Sequence, residues 1–188
     1  MPHIQLPEEL PGIRALLAFR PETAKPLGDL ADALLHAPGT LSQGEREMIA
    51  AYVSRLNECA FCHNSHAAIA AAHLDDEQLV TAVMHSPDQA QISEKLKALL
   101  AVAAKVQQGG RSVRTDDIER ARRAGASDTE IHDTVLIAAA FCMFNRYVDG
   151  LATWAPTDPA GYREPAAFIA KLGYAAAAQM RAASAESR

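Results

Sequence analysis

Two short strings, Ser42-x-x-Glu45 and Ser127-x-x-Glu130, do most to restrict what this chain can fold into. Each has the form of a capping box, in which a hydroxyl and a carboxylate three residues apart satisfy free N–H groups at a helix start. Each opens an apolar stripe at helical spacing. The first stripe is Met48, Ile49, Tyr52, Val53 and Leu56; the second is Val135, Leu136, Ile137, Phe141, Phe144, Val148 and Leu151. The spacing predicts helices over 42–57 and 127–153. Further helices are expected from Cys59 to His73, from Asp75-Asp76 to Met84, and over 91–107 with Ile92, Leu96, Leu99, Leu100 and Val106 as core. Gly109-Gly110 ends that run, and Thr115 caps a charged helix that stops at Gly125. No stretch alternates as a strand does. The expected class is all-α, and the repeated capped helix hints at an internally duplicated helical unit.

The rest of the chain is organised around this centre. Pro7, Pro11, Pro21 and Pro26 break up residues 1–40, which read as an N-terminal arm with two short helices wrapping the domain. Residues 41–155 form the core, and 156–188 a C-terminal tail with a helix near Tyr162 to Leu172 and an Ala-rich end that frays. One compact domain is expected from 188 residues. Abundant alanine and only 5% aromatics point to helices packed through small residues.

Charge and composition exclude several functions. A net charge of -5 argues against a phosphate-tracking nucleic-acid surface, and Arg120, Arg122 and Arg123 read as a solvated helix face. The low aromatic content offers no stacking platform for a flavin or a base. No run approaches the ~20 apolar residues of a membrane span. Glu8, Glu9, Arg14, Arg20 and Glu22 interrupt the early sequence, so no segment has the form of a signal peptide. Three cysteines do not make a secreted disulfide framework. The expected setting is cytoplasmic, where a Cys-x-x-Cys pair is more often catalytic or metal-binding than structural.

That pair is Cys59 and Cys62, with His66 four residues beyond and Glu47 twelve residues before. Spacings of three and four put Cys59, Cys62 and His66 on one helix face. A helix start favours a thiolate, because free N–H groups and the dipole stabilise negative charge. An imidazole can accept the thiol proton directly or through water. Glu45 is used by the capping box, whereas Glu47 lies beside the apolar stripe; if it faces inward it needs a partner, and His66 is the natural one. Otherwise Glu47 is an ordinary surface acid of the first turn. Zinc is the other reading of the cluster, since Cys59, Cys62, His63 and His66 offer four N/S ligands, but structural zinc sites usually draw ligand pairs from separated segments. Elsewhere, Cys142 reads as a buried small hydrophobe, and His73, His85 and His132 as solvated or capping residues. Asn145, Arg146 and Asp149 interrupt an apolar helix; Arg146 and Asp149 could pair on one face, and a local or inter-helix salt bridge is the default expectation over a substrate role.

The order Glu47, Cys59, Cys62, His66 resembles the alkylhydroperoxidase D-like (AhpD-like) proteins of the carboxymuconolactone decarboxylase superfamily. LSQGEREMIAAYVSRLNEC is similar to the lead-in helix of the peroxidase-related branch, and FNRYVDGLAT to its C-terminal helix. The resemblance implies an all-helical homo-oligomer that reduces hydroperoxides through thiols, with no metal or other cofactor. It implies Cys62 as the attacking thiolate, Cys59 as the resolving cysteine that meets the reductant, His66 as proton acceptor and Glu47 completing the relay. It implies a dithiol reductant, a dihydrolipoyl or thioredoxin-like protein. In one respect the chain departs from that pattern: Phe61 stands where those members carry a histidine, and His63 follows the second cysteine instead. The decarboxylase members lack the paired cysteines, so decarboxylation is not expected. A redox-sensing or zinc-binding interaction protein is the alternative from another class.

Overall fold

The computed structural model describes residues 1–177, and among them there is no strand. The helices are α1 (Ile13–Phe19), α2 (Pro21–Leu35), α3 (Gln43–Leu56), α4 (Ala60–Leu74), α5 (Glu77–His85), α6 (Glu94–Gln108), α7 (Thr115–Arg123), α8 (Asp128–Gly150) and α9 (Ala160–Leu172), with a 3₁₀ turn at Gly110–Ser112. A last helical turn begins at Tyr174; the remainder of the expected Ala-rich end lies outside the described residues. The chain is all-α, as its periodicity requires.

Both capping boxes form. Ser42 Oγ accepts from the Glu45 amide while the Glu45 carboxylate accepts from the Ser42 amide, and Ser127 and Glu130 do the same. Four boundaries differ from expectation. Residues 21–35 make one 15-residue helix, not a short one. Pro21 sits at its first position, where no N–H is required, and Pro26 gives up one bond in the second turn. Ser93 caps α6, accepting from the Leu96 amide at 3.1 Å, which leaves Ile92 outside the helix. Thr115 is the first residue of α7 and not its cap; Asp117 closes that start by accepting from the Arg114 amide. Finally, α8 stops at Gly150, before a left-handed residue at Ala152.

Helices α3 and α4 form a closely packed antiparallel hairpin. A Cβ on Gly44, at the start of α3, would lie 2.6 Å from Leu74 at the end of α4, so only glycine permits this approach. The main core joins α3 (Met48, Ile49, Val53), α6 (Leu96, Leu99, Leu100) and α8 (Ile137, Phe141, Phe144). Each such large side chain contributes about 1.5–3 kcal/mol by leaving water. A second, smaller cluster of Leu16, Cys59, Phe61, Cys62, Val148 and Tyr162 surrounds the cysteine pair. The N-terminal arm closes over it, held by bonds from the Gly12 amide to the Trp154 carbonyl (2.9 Å) and from Trp154 Nε1 to the Glu8 carbonyl (2.9 Å). On α7, Arg122 bonds to Glu119 and Asp128 on a solvated face. No described helix is long and apolar enough to cross a membrane.

Candidate active site

The turn between α3 and α4 sets the two sulfurs. Glu58 adopts a left-handed conformation (φ 60°), and the Cys59 amide donates to the Ser54 carbonyl at 3.0 Å. Cys59 thereby becomes the N-cap of α4, whose first helical residue is Ala60, one later than expected, and Cys62 falls in its first turn. Both thiols are free, and both are buried, with 0% and 4% exposure. Burial would raise both, but they part in opposite directions. A hydrogen bond to Cys62 is the largest influence on Cys59, and with burial it pushes that thiol far up. Cys62 is lowered first by the same bond from Cys59, then by the positive charge of His66 and the Asn145 amide, against burial and the Asp149 carboxylate. Of the two, Cys62 is the thiol poised to ionise.

His66 lies one turn beyond Cys62, and its ring is fixed. Its Nδ1 meets Glu47 Oε2 at 2.7 Å, so Nδ1–H donates to the carboxylate and Nε2 is left for chemistry. Phe141 packs edge-on against the imidazole, ring centres 4.5 Å apart. Glu47 faces inward and has 0% exposure. Burial alone would raise its carboxyl, but His66, His36 and Tyr174 outweigh that and hold it at about 2. The Tyr174 hydroxyl donates to Glu47 Oε1 at 2.7 Å, and His36 Nε2 lies 3.4 Å from the same oxygen. Glu47 is thus an anion at neutral pH, suited to orienting His66.

On the opposite side stands an amide network. Asn145 on α8 is 1% exposed; its Nδ2 donates to Ser54 Oγ at 3.0 Å and its Oδ1 accepts from Asn57 Nδ2 at 2.8 Å. Gln107 Nε2 donates to Asn57 Oδ1 at 3.0 Å. A cavity of about 510 Å³ lined by Asn57, Asn145, Arg146, Asp149 and Gly150 opens beside this network. Two of those residues, Asn145 and Asp149, also influence the cysteine thiols.

Several expectations are corrected. Arg146 donates to the Cys142 carbonyl at 2.8 Å instead of pairing with Asp149. Cys142 is half-buried, with Asn57 Nδ2 3.6 Å from its sulfur, and is not a fully buried hydrophobe. His73 is not solvated: its Nε2 is buried without a partner, its ring meets His36 edge-on at 5.4 Å, and burial lowers its pKa. His63 turns to the Ala51 carbonyl, 3.3 Å away, and burial lowers it too, so it stands apart from the cysteines. Among the described residues no group of three or more His, Cys, Asp and Glu is arranged to hold a metal ion. The sequence reading named neither His36 nor Tyr174. Each is a lone polar residue outside any motif, and only tertiary packing brings it to Glu47.

The sequence model of the Carboxymuconolactone decarboxylase family matches residues 21–104. Among solved structures, the chain is similar to an uncharacterized peroxidase-related protein with an alkylhydroperoxidase AhpD core from Ralstonia eutropha JMP134. That likeness has 26% identity and a TM-score of 0.73, covering 87% of this chain and 83% of the other. An uncharacterized peroxidase-related protein from Silicibacter sp. TM1040 shares 27% identity with a TM-score of 0.72, over 79% and 76% of the two chains. A protein of unknown function from Agrobacterium tumefaciens, at 22% identity and a TM-score of 0.63, covers 78% of this chain and 99% of its own; it shares the fold. No curated protein sequence matches the chain. The fold is all-helical and similar to that of these peroxidase-related structures. Residues 21–104, which match the carboxymuconolactone decarboxylase family's sequence model, contain Glu47, Cys59, Cys62 and His66.

Proposed function

We propose that this chain is a thiol-dependent peroxidase that reduces hydroperoxides through Cys62 and Cys59. One observation carries the reading: the buried pair is polarised, with the Cys62 thiol lowered and the Cys59 thiol raised, beside an imidazole anchored to a buried carboxylate. His66 accepts the Cys62 proton through Nε2. The thiolate attacks the terminal oxygen of the hydroperoxide, the O–O bond breaks, and the alkoxide leaves as the alcohol after taking that proton. Cys62 is oxidised by two electrons to the sulfenic acid. Cys59 attacks its sulfur, water leaves, and the disulfide forms. An external dithiol of the dihydrolipoyl or thioredoxin-like class then reduces the pair by thiol–disulfide exchange, in keeping with a reducing, cytoplasmic setting. Glu47 takes no proton in this cycle; it holds the tautomer of His66. The cavity at Asn145 and Asp149 is where, on this reading, the hydroperoxide enters. Leu136 and Met143, 40% and 45% exposed on the outer side of α8, give the homo-oligomer an apolar face.

The test is turnover. The Cys59–Cys62 peptide is weighed by mass spectrometry after one equivalent of hydroperoxide without reductant, and peroxide consumption is then followed with excess dihydrolipoamide. An intrapeptide disulfide and consumption of many equivalents are expected. Consumption of a single equivalent would replace the enzyme with a sensor, and unreacted thiols would remove the redox reading.

A further inference from the structure

We propose that Tyr174, delivered by the C-terminal segment, is a positioning residue for the reacting thiol: it fixes the Glu47–His66 pair, and Asp32 of α2 fixes it in turn. This rests on the thiol-peroxidase reading for its catalytic consequence, but its geometry stands by itself. The Tyr174 hydroxyl lies 2.7 Å from Glu47 Oε1 and 3.1 Å from His66 Nδ1, and its ring stacks on the imidazole at 5.9 Å. Glu47 Oε2 is already engaged by His66, so Tyr174 supplies the short donor to the other oxygen of a fully buried anion. Hydrogen bonds to ionised groups are the strong ones, and an ion left short of a donor in a dry site reorganises its neighbours.

The segment is held by a cap drawn from elsewhere in the chain. Asp32 Oδ1 accepts from the Tyr174 amide at 2.6 Å, and Oδ2 from the Ala175 amide at 2.7 Å. A carboxylate across two free N–H groups at a helix start is the favourable charge arrangement. Gly173 makes the approach possible: its φ is 85°, and a Cβ there would lie 2.9 Å from Asp32 Oδ1. The charged and titratable groups around Glu47 are His66 and His73 from α4, His36 and Asp32 from α2, Arg46 beside it on α3, Asp133 of α8 acting through Arg46, and Tyr174. Among them Tyr174 alone touches both Glu47 and His66 within 3.2 Å and can be altered without removing a charge.

Full-length wild type, Tyr174→Phe, Asp32→Asn and the double variant are compared by two readouts. The first is the hydrogen-bonded Nδ1 proton of His66 in nitrogen-15 spectra. The second is the rate at which Cys62 reacts with hydroperoxide and, separately, with iodoacetamide. Tyr174→Phe should lose or broaden the Nδ1 signal and slow both reactions roughly tenfold. Asp32→Asn, which retains one acceptor where two are needed, should do the same in smaller measure, and the double variant should be no slower than Tyr174→Phe. An intact Nδ1 signal and rates within twofold of wild type in Tyr174→Phe would overturn the proposal. If wild-type Cys62 ignores peroxide, the peroxidase reading fails, while the Nδ1 signal and the iodoacetamide rate still decide the role of Tyr174. Should Tyr174→Phe fold poorly, Asp32→Asn decides by the same two readouts.

Discussion

Replacing Glu47 with Gln keeps the shape of the side chain and removes its charge, and the structure sets the size of the effect. A carboxyl that titrates at about 2 in the folded protein instead of 4.5 carries roughly 3 kcal/mol of stability at neutral pH, at about 1.4 kcal/mol per pH unit. Because the folded value is the lower one, that contribution is complete above about pH 4.5 and disappears as pH falls toward 2. Urea unfolding of wild type and Glu47→Gln across pH 7 to 2 measures it. Other groups respond to acid as well: Glu130, which burial would raise but Lys95 and Ser127 hold near 2, and the half-buried His63 and His73, whose pKa values burial lowers. Glu130 and His63 do not interact with Glu47 and cancel in the difference, whereas His73, which Glu47 raises against burial, is lowered further in the variant. At pH 7 the variant should be less stable by about 2–3 kcal/mol, and the gap should close as pH approaches 2. Parallel stability curves over the whole range would refute the claim that Glu47 is a buried anion held by His66, His36 and Tyr174.

Three other outcomes follow from the site. Cys62→Ser should abolish peroxide consumption, whereas Cys59→Ser should still react once and leave a sulfenic acid that a 1,3-dione probe traps; the reverse pattern would exchange their roles. Asn145→Leu removes an amide that lowers Cys62, so the pH midpoint of iodoacetamide labelling at Cys62 should rise, and an unchanged midpoint would exclude that contact. Gly12→Ala places a Cβ 2.2 Å from the Phe61 ring at a φ of +55°, so it should cost more than about 1 kcal/mol in thermal melts and speed labelling of the buried Cys59 as the arm lifts.

The parts of this site that could be read in the sequence are those carried by local spacing. Cys59, Cys62 and His66 share a helix face by their offsets alone, and Glu47 follows from the register of the capping box with the apolar stripe. Long helices with hydroxyl caps were legible for the same reason. What was not legible depends on contacts between distant segments. Tyr174 reaches Glu47 across 127 residues of chain, and Asn145 reaches Ser54 across 91. No periodicity or motif marks either meeting. Phe61 illustrates the limit from the other direction. Its departure from the histidine of similar proteins has a packing explanation: the side chain lies under Gly12 and against Tyr162, where an imidazole would be buried in an apolar cluster.

The capping box of α3 has a consequence of phase. Ser42 and Glu45 pin the first turn, so the azimuth of every later residue on that helix is counted from them. Glu47 points at His66 because it is the fifth residue past the cap. Each residue added or removed between Ser42 and Glu47 would turn the carboxylate by about 100° around the helix axis, away from the imidazole and into the neighbouring core. The chemistry of the dithiol is therefore timed, in the angular sense, by two polar side chains that never touch it.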